Sequence, residues 1–415
     1  MPTMHASLTF IGFASLALAA SYALINVIAL LVWRLSKRGG SPTVLPPVSV
    51  LKPLCGGEPG LYEHLRSFCL QDYPQFQVVF GIRDPTDPAR SIAESLKAEF
   101  PHLSIDVVVN PQLHGQNFKV SNLINMLPFA KYDLLIIADS DTMVDSRYLA
   151  SVTSPLTDRN VGLVTCIYRG VPTPDIWSRL GAMYVNEWYM PSVLLAWLFG
   201  HQAYVSGQTI CLSQYTLRTI GGLAEIVDHL ADDYRLGELV RKSGRRIVLS
   251  PYVVAAMHHE PSLHALTRHE IRWMRTLAVL RPRSFRGLFL TFSLPVAAIG
   301  CAFASASSSA VVPILMTIIV LSRLTVHFAH RLGGSRSVFA DLWLLPVRDV
   351  LICCAWLRSF FSGEVLWRGV EFEVNQDGIM RRLSELHDAT RVDESAHSNA
   401  DGFDSSAYSG TEQGG

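Results

Sequence analysis

The chain has 415 residues, enough for one catalytic domain of about 200–250 residues plus membrane segments. Apolar residues make up 49% and charged residues 17%, which fits a protein lodged partly in lipid and argues against one wholly in water. The formal charge is zero, but the last 32 residues hold seven acids and one Arg, leaving the rest basic by about six charges and suited to anionic phosphates or lipid headgroups. The seven cysteines lack metal spacing, and Cys353-Cys354 sit inside an apolar run. They read as free thiols of a reducing compartment, which excludes a disulfide frame.

Leu8 to Trp33 carries no charge and is long enough to cross a bilayer with some tilt. Arg34, Lys37 and Arg38 follow the run, which marks a retained anchor rather than a cleaved leader and puts the following chain in the cytosol. The anchor is read as residues 1–38, and a Gly/Pro-rich linker as residues 39–47.

Residues 48–280 read as an α/β domain. Strand-length apolar runs recur at Val48–Leu51, Gln77–Ile82, Ile105–Val109, Leu134–Ala138 and Val161–Cys166. Helical spacing lies between them at Ser91–Phe100 and Val120–Leu127. This alternation predicts a mostly parallel sheet with helices on its faces.

The chain then turns apolar again. Leu288–Ala304 and Ala310–Leu321, joined at Ser305–Ser309, predict a helical hairpin. Arg281, Arg283 and Arg286 before it, and Arg323, His330, Arg331 and Arg336 after it, hold both ends on the cytosolic side. Val338–Phe361 carries Asp341, Arg348 and Asp349 and reads as interfacial or re-entrant rather than as a further crossing. The membrane region is thus residues 281–383, and the acidic tail 384–415 is expected to be disordered.

Leu134 to Asp141 carries the strongest chemical signal: a buried strand ending in Asp139-Ser140-Asp141. Carboxylates at i and i+2 point to one side of an extended chain, beyond the strand end where open α/β sheets bind ligands. Two hard oxygen ligands suit Mg²⁺ or Mn²⁺ bridging a diphosphate; the bland reading is a pair of helix-capping turn residues. Asp84, after the strand Gln77–Ile82, suits a base or ribose contact, or is simply a turn residue before Pro85. Asn117 to Asn122 opens a helix, where Lys119 would neutralise a phosphate and Asn122 hold a hydroxyl.

Asp232-Asp233-Tyr234 starts another helix. Its dipole favours acids there, which accounts for Asp232, while Asp233 is free to serve as general base. His269, Arg272 and Trp273 share a helix face at i, i+3 and i+4, fit for a departing diphosphate and for stacking, or for resting on anionic lipid. Gly207-Gln208-Thr209 allows close backbone approach near the site. His258 and His259, adjacent on a strand, point to opposite faces and do not share an ion.

With Lys52-Pro53-Leu54 added, this ordered set resembles the ceramide glucosyltransferase-like family of GT-A glycosyltransferases, over roughly residues 8–383. The resemblance implies a GT-A fold and an inverting enzyme that moves a hexose from a UDP-sugar to a membrane lipid hydroxyl. Ceramide and hopanoid acceptors both occur among its bacterial members. It implies that Lys52, Asp84, Lys119, Asn122, Asp139 and His269 bind substrate and that Asp139 and Asp141 hold a divalent metal. Asp233, Arg272 and Trp273 would be catalytic, in an integral protein of the bacterial inner membrane with its domain in the cytosol. His269 departs from the Gln or Arg usual at that position. No nucleic-acid partner is expected. A processive polysaccharide synthase needs more membrane segments, and a non-catalytic scaffold needs no carboxylates at three sites.

Overall fold

The structure, a computed structural model, describes residues 2–36, 44–201, 204–304, 310–331, 339–361, 364–367 and 369–383. Lys37, Arg38, the first part of the linker, the Ser305–Ser309 turn, Arg336 and the acidic tail from Ser384 lie outside the described residues.

Eight strands form one sheet: β1 (Val48–Leu54), β2 (Phe76–Ile82), β3 (Ser104–Val109), β4 (Leu134–Ile137), β5 (Thr142–Met143), β6 (Val161–Pro172), β7 (Ile210–Ser213) and β8 (Arg246–His258). Their order is β3-β2-β1-β4-β7-β6-β8-β5. The pairs β1–β2, β2–β3, β1–β4 and β6–β8 are parallel, while β7 and β5 run antiparallel to their neighbours. The parallel half is buried on both faces, which is why β1 and β4 read as nearly unbroken apolar runs. Val48, Val50 and Leu54 enter the core on one face with Phe68 and Phe80. Leu51 enters the core on the other, with Val120 and Ile137.

The helices confirm the local signals. Phe118–Met126 is capped by Asn117, whose side chain accepts from the Val120 amide at 3.0 Å. Asp232–Lys242 begins with both acids in its first turn and carries Arg241 and Lys242 in its last, each matched to the helix dipole.

Among the described residues, two helices are long and apolar enough to cross a membrane, Met4–Ser36 and Val311–Ala329. The pair Pro282–Thr291 and Ser293–Ala304, bent by 65°, would make a third if it is one span. Helix Pro2–Ser36 packs on Ser293–Ala304 through glycines. A Cβ on Gly12 would meet the Gly300 carbonyl oxygen at 2.9 Å, and one on Gly300 would meet the Gly12 oxygen at 3.0 Å.

The second hairpin helix runs Val311–Arg331, well past the expected end at Leu321, so Arg323 lies within it and not beside it. There Arg323 Nη2 pairs with Asp349 Oδ1 at 2.7 Å. Leu344–Arg358 has 15 residues and rises about 22 Å, short of the hydrocarbon core. Its Arg348 forks onto Glu270 of helix Leu263–Leu280 at 2.5 and 2.6 Å, and Asp341 just before it pairs with Arg179. The charges in this segment thus face protein, which lets an apolar stretch carry them.

A small antiparallel sheet follows: β9 (Glu364–Trp367), β10 (Val370–Val374) and β11 (Met380–Arg382). It returns to the catalytic domain. The Leu230 amide donates to the Gly378 carbonyl at 3.0 Å, and the Met380 amide to that of Asp228 at 2.8 Å.

Candidate active site

β1, β2 and β4 run parallel, so their carboxyl ends share one edge of the sheet. Asp84 and Asp139 each stand two residues past a strand on that edge, separated by β1, or about 10 Å across the ladder. Asp84 is exposed and accepts from the Thr86 amide at 2.8 Å and the Thr86 hydroxyl at 2.7 Å. The backbone hydrogen bond, then the hydroxyl, hold its carboxyl below the usual range. These bonds stay within its own turn.

Four distant segments meet at Asp139. Lys119 Nζ lies 2.7 Å from Asp139 Oδ1 and 3.2 Å from Asp232 Oδ2, which ties the helix after β3, the end of β4 and the helix before β8 together. Burial alone would lower the Lys119 pKa. The Asp139 and Asp232 carboxylates more than offset it and hold the amine above the ordinary lysine range. Gly207 fits between them: a Cβ there would lie 2.7 Å from Asp139 Oδ2 and 2.9 Å from Lys119 Nζ. Its amide donates to Asp233 Oδ2 at 3.0 Å.

Asp141 is more enclosed. Gln208 Nε2 reaches its Oδ2 at 3.5 Å, and its buried Oδ1 has no hydrogen-bond partner. Burial, followed by Asp139 and Glu58, pushes its carboxyl up to about 7. Among the described residues no three His, Cys, Asp or Glu side chains are grouped as a metal cage. An orphaned oxygen on Asp141 beside Asp139 nevertheless fits Mg²⁺ or Mn²⁺, which takes one or two carboxylates and completes its shell from substrate phosphates and water.

Lys52 is fully buried beneath this pair. It occupies an apolar-face position of β1, over the Phe68 ring at 3.9 Å, and donates to the Asp139 carbonyl at 2.5 Å. Burial lowers it to about 7 against the pull of Asp141 and Asp139. It supports the acids from behind. Asn122 is likewise turned inward, its amide donating to the Gly81 carbonyl at 2.8 Å, so the hydroxyl-holding role expected of it falls to groups nearer the cleft.

Asp233 stands half-buried at the start of its helix, facing the Gly207 backbone. It accepts from the Tyr234 amide at 2.7 Å as well as from Gly207. Burial first, then Asp232, raise it to about 6, with Lys119 opposing. Tyr168 and Tyr189, 5.6 Å apart, lie within its field and wall the side toward the membrane helices.

Further along that wall, Tyr184 packs on Trp273 at 5.0 Å and on Trp188 at 5.2 Å. His269 lies 4.1 Å from Trp273, and its Nδ1 meets Glu260 Oε1 at 2.6 Å. Arg272 stands half-buried on the same helix, one turn on from His269. His258 is buried against Trp273, and burial drives it down to about 3, whereas His259 turns to Thr173 at 3.4 Å. The two histidines thus diverge.

Sequence reasoning missed Glu58, Glu260 and the tyrosine wall. Tyr184–Tyr189 forms a π-helix, a feature frequent at functional sites, but nothing in its local pattern announces it.

The chain is similar in sequence to known proteins over most of its length. The sequence model of glycosyl transferase family 21 matches residues 13–380. Ceramide glucosyltransferase 1 of Caenorhabditis elegans is 22% identical over 378 residues, covering 86% of this chain and 78% of that protein. Ceramide glucosyltransferase 3 of the same organism is 24% identical, over 65% of this chain and 62% of its own length. The Komagataella phaffii ceramide glucosyltransferase is 34% identical over 125 residues, 28% of this chain and 24% of that one. Among solved structures, the mannosyltransferase from Pyrobaculum calidifontis in complex with GDP-Man and Mn²⁺ superposes with a TM-score of 0.49 at 21% identity, over 85% of this chain and 99% of that chain. With a match that runs from within the first helix to the last small strand, the chain belongs to glycosyl transferase family 21.

Proposed function

We propose that this glycosyltransferase is an inverting, UDP-sugar-dependent hexosyltransferase that transfers glucose or N-acetylglucosamine to the hydroxyl of a membrane lipid. The acceptor is ceramide or a hopanoid such as bacteriohopanetetrol. The reaction takes place at the cytosolic face of a bacterial inner membrane, the side marked by Arg34, Arg281, Arg283 and Arg286. One observation carries the reading: Asp139, Lys119, Asp232 and Asp233 meet around Gly207, and the wall beyond Asp233 is the aromatic seam shared with the membrane helices.

A divalent cation held by Asp139 and Asp141 would neutralise charge on the leaving diphosphate. Lys119 holds Asp139 and Asp232 in place, and Lys52 braces the Asp139 carbonyl. Asp84 contacts the nucleotide from its exposed turn. Arg272 meets the departing diphosphate, and Trp273 and His269 hold the acceptor. Asp233 takes the acceptor's proton as oxygen attacks the anomeric carbon opposite the diphosphate, which inverts that centre.

Asp233→Asn keeps the shape and removes the base. The full chain in lipid nanodiscs should release UDP about 10²–10⁴-fold more slowly, with UDP-sugar affinity unchanged by calorimetry. A parallel loss of donor affinity would remove Asp233 from that role, and lipid mass spectrometry identifies the product.

A further inference from the structure

A cavity of about 20 Å³ lies among the membrane-associated helices. It is bounded by Tyr22 and Asn26 of the first helix, Ser322 and Arg323 of Val311–Arg331, and Asp349 of Leu344–Arg358. Glu187, Thr291 and Ser293 add further polar groups, and the rest of the wall is apolar, with Trp188, Phe292 and Ile352. The volume suits one small polar group.

Two atoms on this wall lack partners. Asn26 is 5% exposed, and its Nδ2 donates to the Tyr22 carbonyl at 2.9 Å, but its Oδ1 accepts from nothing. Arg323 commits Nη1 to the Glu187 carbonyl and Nη2 to Asp349, while its buried Nε donates to nothing. A lone acceptor and a lone donor on one cavity are the complement of a hydroxyl, which gives one hydrogen bond and accepts others. An anion would meet Asp349, Glu187 and the Asn26 oxygen, and an ammonium would meet Arg323.

One element links the cavity to the aromatic wall of the candidate active site: Trp188 lines the cavity, and the next residue, Tyr189, packs on Tyr168 at 5.6 Å. Both Asn26 and Arg323 belong to candidate membrane spans, which puts the cavity at the depth of a membrane lipid's head and chains.

Building on the lipid-acceptor reading above, we infer that this cavity binds a second hydroxyl of the acceptor lipid's head, distinct from the one that receives the sugar. The site thereby selects neutral lipids whose heads carry more than one hydroxyl. The other source of a hydroxyl is a trapped water, and lipid titration separates the two.

The full chain in phosphatidylcholine nanodiscs is titrated without donor with ceramide and, in parallel, with bacteriohopanetetrol, and the thermal midpoint is followed. The wild type should be stabilised by at least one of them. Asn26→Leu, which fills the cavity and removes the acceptor atom, should weaken that apparent affinity roughly tenfold, the size of one hydrogen bond. Ser322→Ala, which leaves the volume open, should weaken it in the same direction and guards against a folding defect in the first variant.

Equal lipid affinity in wild type and both variants means a trapped water and overturns the inference, as does a wild type stabilised by neither lipid. UDP release on adding donor is measured alongside. Weakened lipid affinity in the variants with no UDP release from wild type upholds the cavity and removes the transfer assignment. Unchanged affinity with intact UDP release does the reverse.

Discussion

Asp233 carries the clearest pH consequence at the scale of single residues. Its carboxyl is raised to about 6 by burial and Asp232, so it is protonated and incompetent as a base below that pH and ionised above it. The kcat/KM profile should therefore fall about tenfold per pH unit on the acid side of 6 and level off above. A flat profile from pH 5 to 7 would rule the assignment out. Gly207 offers a steric test. In Gly207→Ala the new methyl lies 2.7 Å from Asp139 Oδ2, and the carboxylate must move. Transfer should drop at least tenfold, with a melting temperature within a few degrees of the parent, since the strain falls on a side chain at the cleft.

Asp139-Ser140-Asp141 and Asp232-Asp233 were readable because each is a local pattern tied to a strand end or a helix start. Lys52 was harder. The resemblance implies that it binds substrate, whereas the fold buries it under Asp139, where it donates to that residue's carbonyl. Asn122 sat in the right helix and turned the wrong way, because the face it occupies is set by tertiary packing against Gly81. The Asp141–Glu58 proximity has no local signal, since 83 positions separate the two acids.

Among elements, the segment Leu344–Arg358 depends on a buried ion pair. Arg348 and Glu270 are 1% and 2% exposed. Removing one partner leaves an uncompensated buried charge, so Glu270→Gln should destabilise by about 3–5 kcal/mol in thermal or denaturant unfolding. Replacing both, with Glu270→Leu and Arg348→Met, should recover most of that loss. A double variant as unstable as the single would show that the pair contributes through more than charge balance. The expected strands Gln77–Ile82, Ile105–Val109 and Leu134–Ala138 match β2, β3 and β4 closely because their apolar runs end at polar or turn residues. β6 overran its expected end at Cys166 by six residues: its second half pairs with β8, whose register shifts between Cys166 and Ile167. β10 reads Val-Glu-Phe-Glu-Val, with the period of a strand, yet it follows a membrane segment and is easily taken as part of it.

Over the whole molecule, the close glycine contact of the first helix matters most. Gly12→Val would drive a branched side chain into the backbone of residues 300–304, separating two helices that pack along their length. The expected cost is about 1–3 kcal/mol, read as a lower melting temperature in detergent, with donor affinity retained because the Gly12 contacts at residues 300–304 involve none of the cleft residues. Equal loss of donor affinity would mean that the first helix supports the cleft directly. Such long-range contacts were not legible in the sequence: the apolar run Leu8–Trp33 predicts a span but does not say which helix it meets.

The small sheet at residues 364–382 has a consequence for biosynthesis. Ribosomes make it after the candidate spans found among the described residues, and its Gly378 and Met380 strap down Leu230 and Asp228, just ahead of the Asp232–Asp233 turn. A nascent chain therefore lacks these two hydrogen bonds beside the Asp232–Asp233 turn until the sheet itself has been made. A chain terminated before that strap should therefore keep the candidate spans and lose transfer, which a UDP-release assay on a protein ended at Phe361 would check.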